Sequence, residues 1–254
     1  MVGSLESTNI NIGNKSFYGY IKESAQKFSN EEVCGLVLKN LSGEIFVQPC
    51  ENIYKDKKLG FMVSPEVFLE AANKYKVLAV YHSHVDASPD PSVRDLYQSD
   101  SLCLPFIIYS VKYDDFYIHI PESFPIEDFT GRDYIDGLQN CITLVIDYYR
   151  KNYGFKFDDF NFYLKRKSST WAVTFRALLR GKNLARKNGF IRVKNSEIEA
   201  DDVVMFQLGS NEVHLGVYLG NEEILNHPSH GLSVKSFFNQ EIKDQIHSVY
   251  RKSV

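Results

Sequence analysis

The densest set of potential metal ligands in this sequence lies in one stretch, His82-Ser83-His84-Val85-Asp86-Ala87-Ser88-Pro89-Asp90-Pro91-Ser92-Val93-Arg94-Asp95. The stretch follows an apolar run, residues 77–81, which predicts a buried strand. Because alternate residues of a strand point to the same face, the imidazoles of His82 and His84 can reach one ion. Two histidines at a strand end can equally be polar residues that bind nothing, so the residues that follow them decide between the two interpretations.

A helix is predicted directly after the histidines. Asp90-Pro91 is typical of an N-cap followed by the first helical position, which would place Ser92 and Asp95 on one face of the helix. Asp95 can then complete a His-His-Asp set, while the hydroxyl of Ser92 points into the same space. Three protein ligands with one open position are the arrangement that a catalytic zinc ion needs.

The full pattern, H-S-H-x7-S-x2-D, resembles the signature of the JAMM/MPN metallopeptidases, which cleave peptide or isopeptide bonds. That family also has a glutamate in a context like E-x-C-G before the first core strand, and Glu32-Val33-Cys34-Gly35 is similar to it. The resemblance extends over about residues 15–120. It implies an α/β domain built on a central mixed sheet.

The resemblance also implies a role for each residue of the motif. His82, His84 and Asp95 would bind one Zn²⁺, Glu32 would be the general base toward water, and Ser92 would help to hold the developing oxyanion. The chemistry supports the last two roles, because a carboxylate that does not bind the metal can move a proton and a hydroxyl can donate a hydrogen bond where negative charge appears. Glu31 is the competing base, but it lies one residue away from the matching position.

A second candidate site begins at Cys141. Residues 141–153 predict an amphipathic helix that stops at Gly154, with the cysteine in the first turn, where the helix dipole and free N–H groups favour a thiolate. Further along, residues 213–219 and 223–227 predict two neighbouring strands, so that a polar group on the second could orient His214 on the first. A cysteine followed by a histidine and an orienting group is the order found in thiol peptidases. A buried helical cysteine and a strand histidine without catalytic function are the alternative.

These residues resemble the NlpC-type cysteine peptidases. Tyr134-Ile135-Asp136-Gly137 is similar to their Tyr-x-x-Gly segment, and His214 begins a segment similar to their H-x-G-[IV]-Y-x-G strand. The resemblance implies that Cys141 is the nucleophile, that His214 is the base and that Tyr134 contacts substrate. The spacing in that family puts the third catalytic residue at Asn226, with His227 as the alternative. One departure is Asn140, where relatives commonly have aspartate.

The length of 254 residues is suited to two small domains, and a hydrophobic content of 44% provides material for two cores. Prolines and acids that interrupt all periodicity after residue 120 place the boundary there. We expect an α+β protein with a JAMM/MPN-like zinc metallopeptidase domain over residues 1–122 and a linker over 123–130. A papain-like NlpC-type domain, helices first and antiparallel sheet last, would follow over 131–254.

The two domains in this order resemble the tail-tip proteins of lambda-like tailed phages. The resemblance implies assembly with other phage tail-tip proteins in the host cytoplasm, a final location in the virion tail tip, and cleavage of bacterial peptidoglycan at a D-glutamyl to diamino-acid bond. Two rival interpretations are an assembly factor with little or no turnover and a cellular isopeptidase with a C-terminal binding module.

Charge and hydropathy exclude further classes of function. No apolar run is long enough to span a membrane. The net charge of −3 gives no general attraction to polyanions, so no nucleic-acid partner is expected. A local cluster of ten Lys or Arg residues over 165–194 is interpreted as a solvated face of a helix at about 169–187.

Overall fold

The computed structural model describes residues 17–155, 189–208, 212–229 and 231–253. The described residues separate into two compact units, one up to residue 124 and one from residue 125. The predicted helix at 169–187 and most of the basic segment 165–194 lie outside the described residues. None of the described helices is long and apolar enough to cross a membrane.

The first unit is built on a five-stranded mixed sheet in the order β2-β1-β3-β4-β5. Only β3 and β4 run parallel, and the other neighbours are antiparallel. The strands are β1 (Cys34–Lys39), β2 (Ile45–Cys50), β3 (Lys76–His84), β4 (Phe106–Ser110) and β5 (Asp115–His119), and the helices are α1 (Phe17–Lys27), α2 (Pro65–Lys74) and α3 (Val93–Leu102). The central mixed sheet expected for this half is confirmed.

Strand β3 carries the two histidines at its end and is buried along nearly its whole length. Val80 of this strand belongs to a core formed with Leu36, Phe106 and Ile108 on one face of the sheet. His82 lies on that same face, since it pairs with Ile108 across the β3–β4 ladder. The fold therefore puts an imidazole into the hydrophobic core of the unit.

The predicted start of α3 is wrong by two residues. The N-cap is Ser92, not Asp90, and the first helical residue is Val93, not Pro91. Ser92 takes this position because its side chain accepts a hydrogen bond from the backbone N–H of Asp95, while the Asp95 side chain accepts one from the backbone N–H of Ser92. This reciprocal capping box satisfies two backbone donors at once, which a cap at Asp90 would leave open.

The second unit begins with α4 (Cys141–Tyr153) and continues into a six-stranded, fully antiparallel sheet in the order β10-β9-β8-β7-β11-β6. The strands are β6 (Phe190–Val193), β7 (Val203–Leu208), β8 (Glu212–Gly220), β9 (Glu223–Asn226), β10 (Val234–Phe237) and β11 (Ile246–Lys252), with a 3₁₀ turn at Asn195–Glu197 and a short helix α5 (Gln240–Asp244). Helix α4 packs on residues of β7 and β8 to form the main core of this unit. The predicted helix-first, antiparallel-sheet-last architecture is confirmed.

Candidate active sites

The three predicted metal ligands lie together in the first unit. The two Nε2 atoms of His82 and His84 are 3.2 Å apart. Asp95 reaches them from α3, with Oδ1 3.4 Å from the Nε2 of His82 and Oδ2 3.5 Å from the Nε2 of His84. All three side chains are buried, and one ligand atom from each lies within 4.8 Å of the others. Strand β3 and the first turn of α3 thus aim three donors at one point.

The donor set suits a zinc ion. Two imidazole nitrogens and a carboxylate oxygen are ordinary zinc ligands. The Nδ1 of His84 lies 2.6 Å from the carbonyl oxygen of Ser88, which assigns the N–H to Nδ1 and leaves the lone pair of Nε2 facing the other two donors. Burial by itself would raise the pKa of Asp95, but the hydrogen bonds that His82 and His84 donate to it when their rings are protonated hold it well below its usual range. A buried carboxylate that stays ionised requires positive charge beside it, and a cation at this point would provide it.

The two imidazoles differ in their electrostatics. Burial lowers the pKa of His82, which is fully enclosed. Burial acts in the same direction on His84, but hydrogen bonds to Asp95 and to the carbonyl of Ser88 outweigh it, so the pKa of His84 is raised. His82 is therefore the imidazole that stays neutral and ready to bind a metal.

Glu32 lies two residues before β1, is buried, and is within electrostatic reach of His84 and Asp95. Its pKa is raised to about 7, chiefly by burial; the charge of Asp95 acts in the same direction, and His84 and Arg94 act against it. A carboxyl group with a pKa near neutrality can both take up and release a proton at physiological pH. Its neighbour Glu31 is only partly buried.

Ser92 combines a structural contact with an exposed hydroxyl. Its Oγ accepts from the N–H of Asp95 at 3.2 Å as the cap of α3. Within the described part of the chain no acceptor takes the hydroxyl hydrogen. The hydroxyl can still donate a hydrogen bond to a group that approaches from solvent.

In the second unit, Cys141 is the first residue of α4, as predicted. The helix begins here because the side chain of Asn140 accepts from the backbone N–H groups of Ile142 and Thr143 at 2.9 and 3.1 Å. The hydroxyl of Thr143 accepts in turn from the N–H of Asn140 at 2.8 Å. The asparagine that replaces the usual aspartate therefore keeps the cap intact without adding a charge next to the thiol.

The N–H groups at the start of α4 favour the thiolate of Cys141, as expected, but burial outweighs their effect in the free protein. Burial raises the pKa of the thiol to about 11, although the N–H groups of Leu215, Cys141 and Ile142 lower it. The thiol is therefore protonated at neutral pH and needs a base. The Leu215 contact places the sulfur against the backbone of β8, next to His214 along the chain.

The predicted pair His214 and Asn226 is brought together on adjacent strands. Asn226 pairs with Gly216 across the β8–β9 ladder, and its Oδ1 lies 3.3 Å from the Nε2 of His214. The Nδ2 of Asn226 donates to the hydroxyl of Ser236 at 3.1 Å, which fixes the direction of the amide. Burial lowers the pKa of His214, and the Asn226 contact raises it. No hydrogen bond between the Sγ of Cys141 and His214 is present among the described residues.

His227 and Tyr134 lie against each other. His227 follows the last residue of β9 and is fully buried, and its ring meets the ring of Tyr134 edge-on at 5.4 Å. Burial lowers the pKa of His227. Burial also raises the pKa of Tyr134 above its usual range, and the charge of an ionised Cys141 would raise it further. Tyr134 therefore lies within electrostatic reach of the nucleophile.

One residue of the metal site was not singled out by the sequence. The ring of Phe61 stacks on that of His82, with centroids 4.2 Å apart and an interplanar angle of 19°. Phe61 belongs to the segment between β2 and α2, which forms no helix or strand. A single aromatic residue outside any periodic pattern carries no local signal that could have identified it.

Comparison with known proteins agrees with both halves of this description. Residues 15–120 match the family of prokaryotic homologs of the JAB domain, and residues 133–251 match the NlpC/P60 family, which is a family of peptidases. The two matches follow one another along the chain, with the JAB-domain match first and the NlpC/P60 match second.

The curated relatives have the same name in two phages. The chain is 27% identical over 197 residues to "Tail tip assembly protein K" of Escherichia phage N15, covering 77% of each protein. It is 26% identical over 194 residues to "Tail tip assembly protein K" of Escherichia phage lambda, covering 74% of this chain and 88% of the relative.

Two similar solved structures each cover less than half of the chain. A protein from Desulfitobacterium hafniense is 21% identical, with a TM-score of 0.33, and covers 42% of this chain and 82% of its own. A JAB1/MPN domain protein from Archaeoglobus fulgidus is 20% identical, with a TM-score of 0.27, and covers 43% of this chain and 89% of its own. TM-scores this low identify no fold by themselves.

Proposed function

We propose that this chain is a tail-tip assembly protein of a tailed phage and that its NlpC/P60 domain is a peptidoglycan endopeptidase with Cys141, His214 and Asn226 as catalytic residues. The contact between His214 and Asn226 at 3.3 Å carries the proposal, because it orients the imidazole on the strand whose backbone touches the thiol. The names of the two phage relatives support the assembly role and favour it over a cellular isopeptidase.

The geometry suggests how proton transfer would run. With Asn226 accepting at Oδ1, the Nε2 of His214 carries the hydrogen and Nδ1 has the free lone pair. Because its lowered pKa keeps His214 neutral, that lone pair can take the proton of Cys141 as the sulfur attacks the peptide carbonyl. The same nitrogen then returns the proton to the leaving amine. Asn226 stabilises the imidazolium without taking the proton itself.

For the first domain we propose a zinc-dependent peptidase or isopeptidase, with His82, His84 and Asp95 as the ligands. A zinc ion in this position would lower the pKa of a coordinated water to about 7 and polarise the scissile carbonyl. Glu32, whose pKa of about 7 suits proton transfer, would take a proton and deliver it to the leaving amine. The exposed hydroxyl of Ser92 would donate a hydrogen bond to the carbonyl oxygen as it becomes negative.

The remaining proposals concern organisation and substrate. We assign residues 1–122 to the metal domain, 123–130 to a linker and 131–254 to the cysteine peptidase domain.

Tyr134 is proposed to contact substrate, because it lies within electrostatic reach of Cys141. The bond cleaved in peptidoglycan would be the one between D-glutamate and the diamino acid. Assembly would take place with other tail-tip proteins in the host cytoplasm, before the protein acts at the cell wall from the virion tail tip.

The cysteine site is tested with purified peptidoglycan. Wild-type protein is expected to reduce the turbidity of the suspension and to release peptides ending at D-glutamate, detected by mass spectrometry, whereas Cys141→Ala releases none. Cys103→Ala is the matched control, because Cys103 is a free cysteine at the end of α3 in the other domain. Equal hydrolysis by wild type and Cys141→Ala would refute the assignment.

The zinc site is tested by elemental analysis of protein purified without chelators. Wild type is expected to hold one zinc per chain, and His82→Ala and His84→Ala are expected to hold much less. If both variants retain as much zinc as wild type, the ligand assignment is wrong.

A structural assembly factor without turnover is the second candidate. The observation that favours it is the thiol of Cys141, which has a pKa of about 11 and no hydrogen bond to His214 among the described residues. Catalytic hydrogen bonds in free enzymes often tighten only when substrate binds. Peptidoglycan that stays intact in the presence of correctly folded wild-type protein would favour this candidate.

A further inference from the structure

The two histidine ligands of the proposed zinc site are held in different ways. The Nδ1 of His84 is fixed by the carbonyl of Ser88 at 2.6 Å, which is the usual arrangement for a metal-binding histidine. The Nδ1 of His82 is buried and has no hydrogen-bond partner among the described residues. The orientation of the His82 ring must therefore come from the side chains that pack against it.

Two phenylalanine rings enclose the ring of His82. Phe61 lies nearly parallel to it at 4.2 Å, and Phe106 meets it edge-on at 5.9 Å with an interplanar angle of 75°. Phe106 belongs to strand β4, so its position is set by the sheet. Phe61 has no such support, because the segment that carries it forms neither helix nor strand. Something other than secondary structure must hold the backbone at Phe61.

The side chain of Asn52 holds that backbone from both sides. Its Nδ2 donates to the carbonyl of Gly60 at 3.0 Å, and its Oδ1 accepts from the N–H of Met62 at 3.1 Å. These are the two neighbours of Phe61 in the chain. Asn52 is itself buried, with 6% of its surface exposed, so these bonds are shielded from water.

The same amide also contacts the residue proposed as the general base. The Nδ2 of Asn52 donates a second hydrogen bond to the carbonyl of Glu32 at 2.8 Å, and its Oδ1 accepts a second from the N–H of Tyr54 at 3.0 Å. Both amide hydrogens are therefore used, and the oxygen accepts twice. One side chain thus joins the irregular segment to the start of β1.

We propose that Asn52 is a positioning residue of the metal site, which holds Phe61 against His82 and so fixes the orientation of a ligand whose Nδ1 lacks a hydrogen-bonded partner. The inference rests on the proposed zinc site and deepens it. The side chain of Asn52 is not one of the proposed ligands, and its hydrogen bonds go to backbone groups. Its effect on zinc passes through Phe61.

The experiment measures zinc affinity by competition with a chromophoric chelator, using the full chain and zinc alone. Loss of the groups that orient a metal ligand typically weakens binding about 10- to 100-fold. Asn52→Ala and Phe61→Leu are each expected to raise the Kd for zinc about 10-fold. Because Asn52 acts through Phe61, the double variant is expected to have a Kd for zinc about 10-fold above that of wild type, as each single variant has. Independent effects would instead raise it about 100-fold.

A matched control is available in the same domain. Asn40 organises the β1–β2 turn through bonds to Ser42 and Glu44, as Asn52 organises its own segment. Asn40→Ala is therefore expected to leave zinc affinity unchanged. Circular dichroism of every variant in EDTA checks the fold, and Phe61→Leu carries the test if Asn52→Ala does not fold.

The outcomes separate the inference from the proposed site. Wild-type zinc affinity in folded Asn52→Ala or Phe61→Leu would overturn the inference and leave the zinc site standing. A double variant weakened about 100-fold would overturn the route through Phe61. Wild-type protein that binds no zinc would refute the proposed metal site and the inference together.

Discussion

Asp95 serves the fold and the proposed zinc site at once, and Asp95→Asn separates the two. The Oδ2 of Asp95 accepts from the N–H of Ser92 at 2.7 Å to start α3, while both carboxylate oxygens face the histidines. Asparagine keeps an oxygen that can accept from Ser92 but loses the charge. Alanine removes both functions.

The two losses differ in expected magnitude. An apparent zinc-binding free energy of about 10–16 kcal/mol at a structural site with four protein ligands is about 3 kcal/mol for each ligand, which corresponds to a Kd raised about 100-fold. Loss of a helix cap costs about 1 kcal/mol. We therefore expect Asp95→Asn to weaken zinc binding about 100-fold and to change the free energy of unfolding of the metal-free protein by less than about 1 kcal/mol.

Urea unfolding in EDTA measures the stability that the helix cap contributes, and competition with a chelator measures the affinity for zinc. Asp95→Ala is expected to lose the zinc affinity and, in EDTA, about 1–2 kcal/mol of stability as well, because a hydrogen bond to a charged group is lost with the cap. Ser92→Ala should lose about 1 kcal/mol and keep most of its zinc affinity. The reasoning is refuted if Asp95→Asn binds zinc like wild type, or if it destabilises the metal-free protein as much as Asp95→Ala does.

Three further predictions concern the rest of the chain. Gly35→Ala should lower the free energy of unfolding by about 1–3 kcal/mol, since its Cβ would lie 2.3 Å from the carbonyl oxygen of Gln48. Gly231→Ala is the control, because the nearest atom to its Cβ would be 3.9 Å away. In the same urea titration it should change the free energy of unfolding by less than about 0.5 kcal/mol. Alkylation of Cys141 by iodoacetamide, followed by mass spectrometry, should accelerate about tenfold per pH unit between pH 8 and 10, because a pKa of about 11 keeps the thiol mostly protonated throughout that range. A rate already at its plateau at pH 7 would contradict the raised pKa. EDTA should abolish peptidase activity of the first domain and leave peptidoglycan hydrolysis unchanged, because thiol chemistry needs no metal; equal inhibition of both would point to a metal requirement in the second domain.

Features that depend on local signals were predictable from the sequence. The bounds of α4 were predicted correctly, because the cap at Asn140 and the glycine at 154 mark its two ends, and Gly154 does adopt a φ of 61°. The start of α2 has an equally local signal, since Ser64 caps it and Pro65 is its first residue. In both cases the decisive hydrogen bonds join residues that are close in sequence.

The start of α3 shows where such signals compete. Asp90 before Pro91 and Ser92 before Asp95 are both good caps, and local sequence does not rank them. The second prevails because Ser92 and Asp95 cap each other and Asp95 also meets two histidines from another strand. That last contact depends on the tertiary fold.

Asn52 and Phe61 could not be found in this way. They lie in a segment without periodicity, and their partners His82 and Glu32 are 20 or more positions away in sequence. The pairing of β3 with a parallel β4 is likewise set by packing across the sheet and leaves no mark in either strand alone. The sequence motif identified the donors, and only the structure identified what orients them.

The reciprocal cap formed by Ser92 and Asp95 affects how this motif should be interpreted in other genomes. A descendant that had abandoned metal chemistry would still gain from serine and aspartate at this spacing, because the pair starts a helix. Natural selection for folding alone would then preserve half of an apparent enzyme signature. In a survey of phage genomes, the histidine pair is the part of the motif that distinguishes domains that still bind a metal from domains that have lost the metal site.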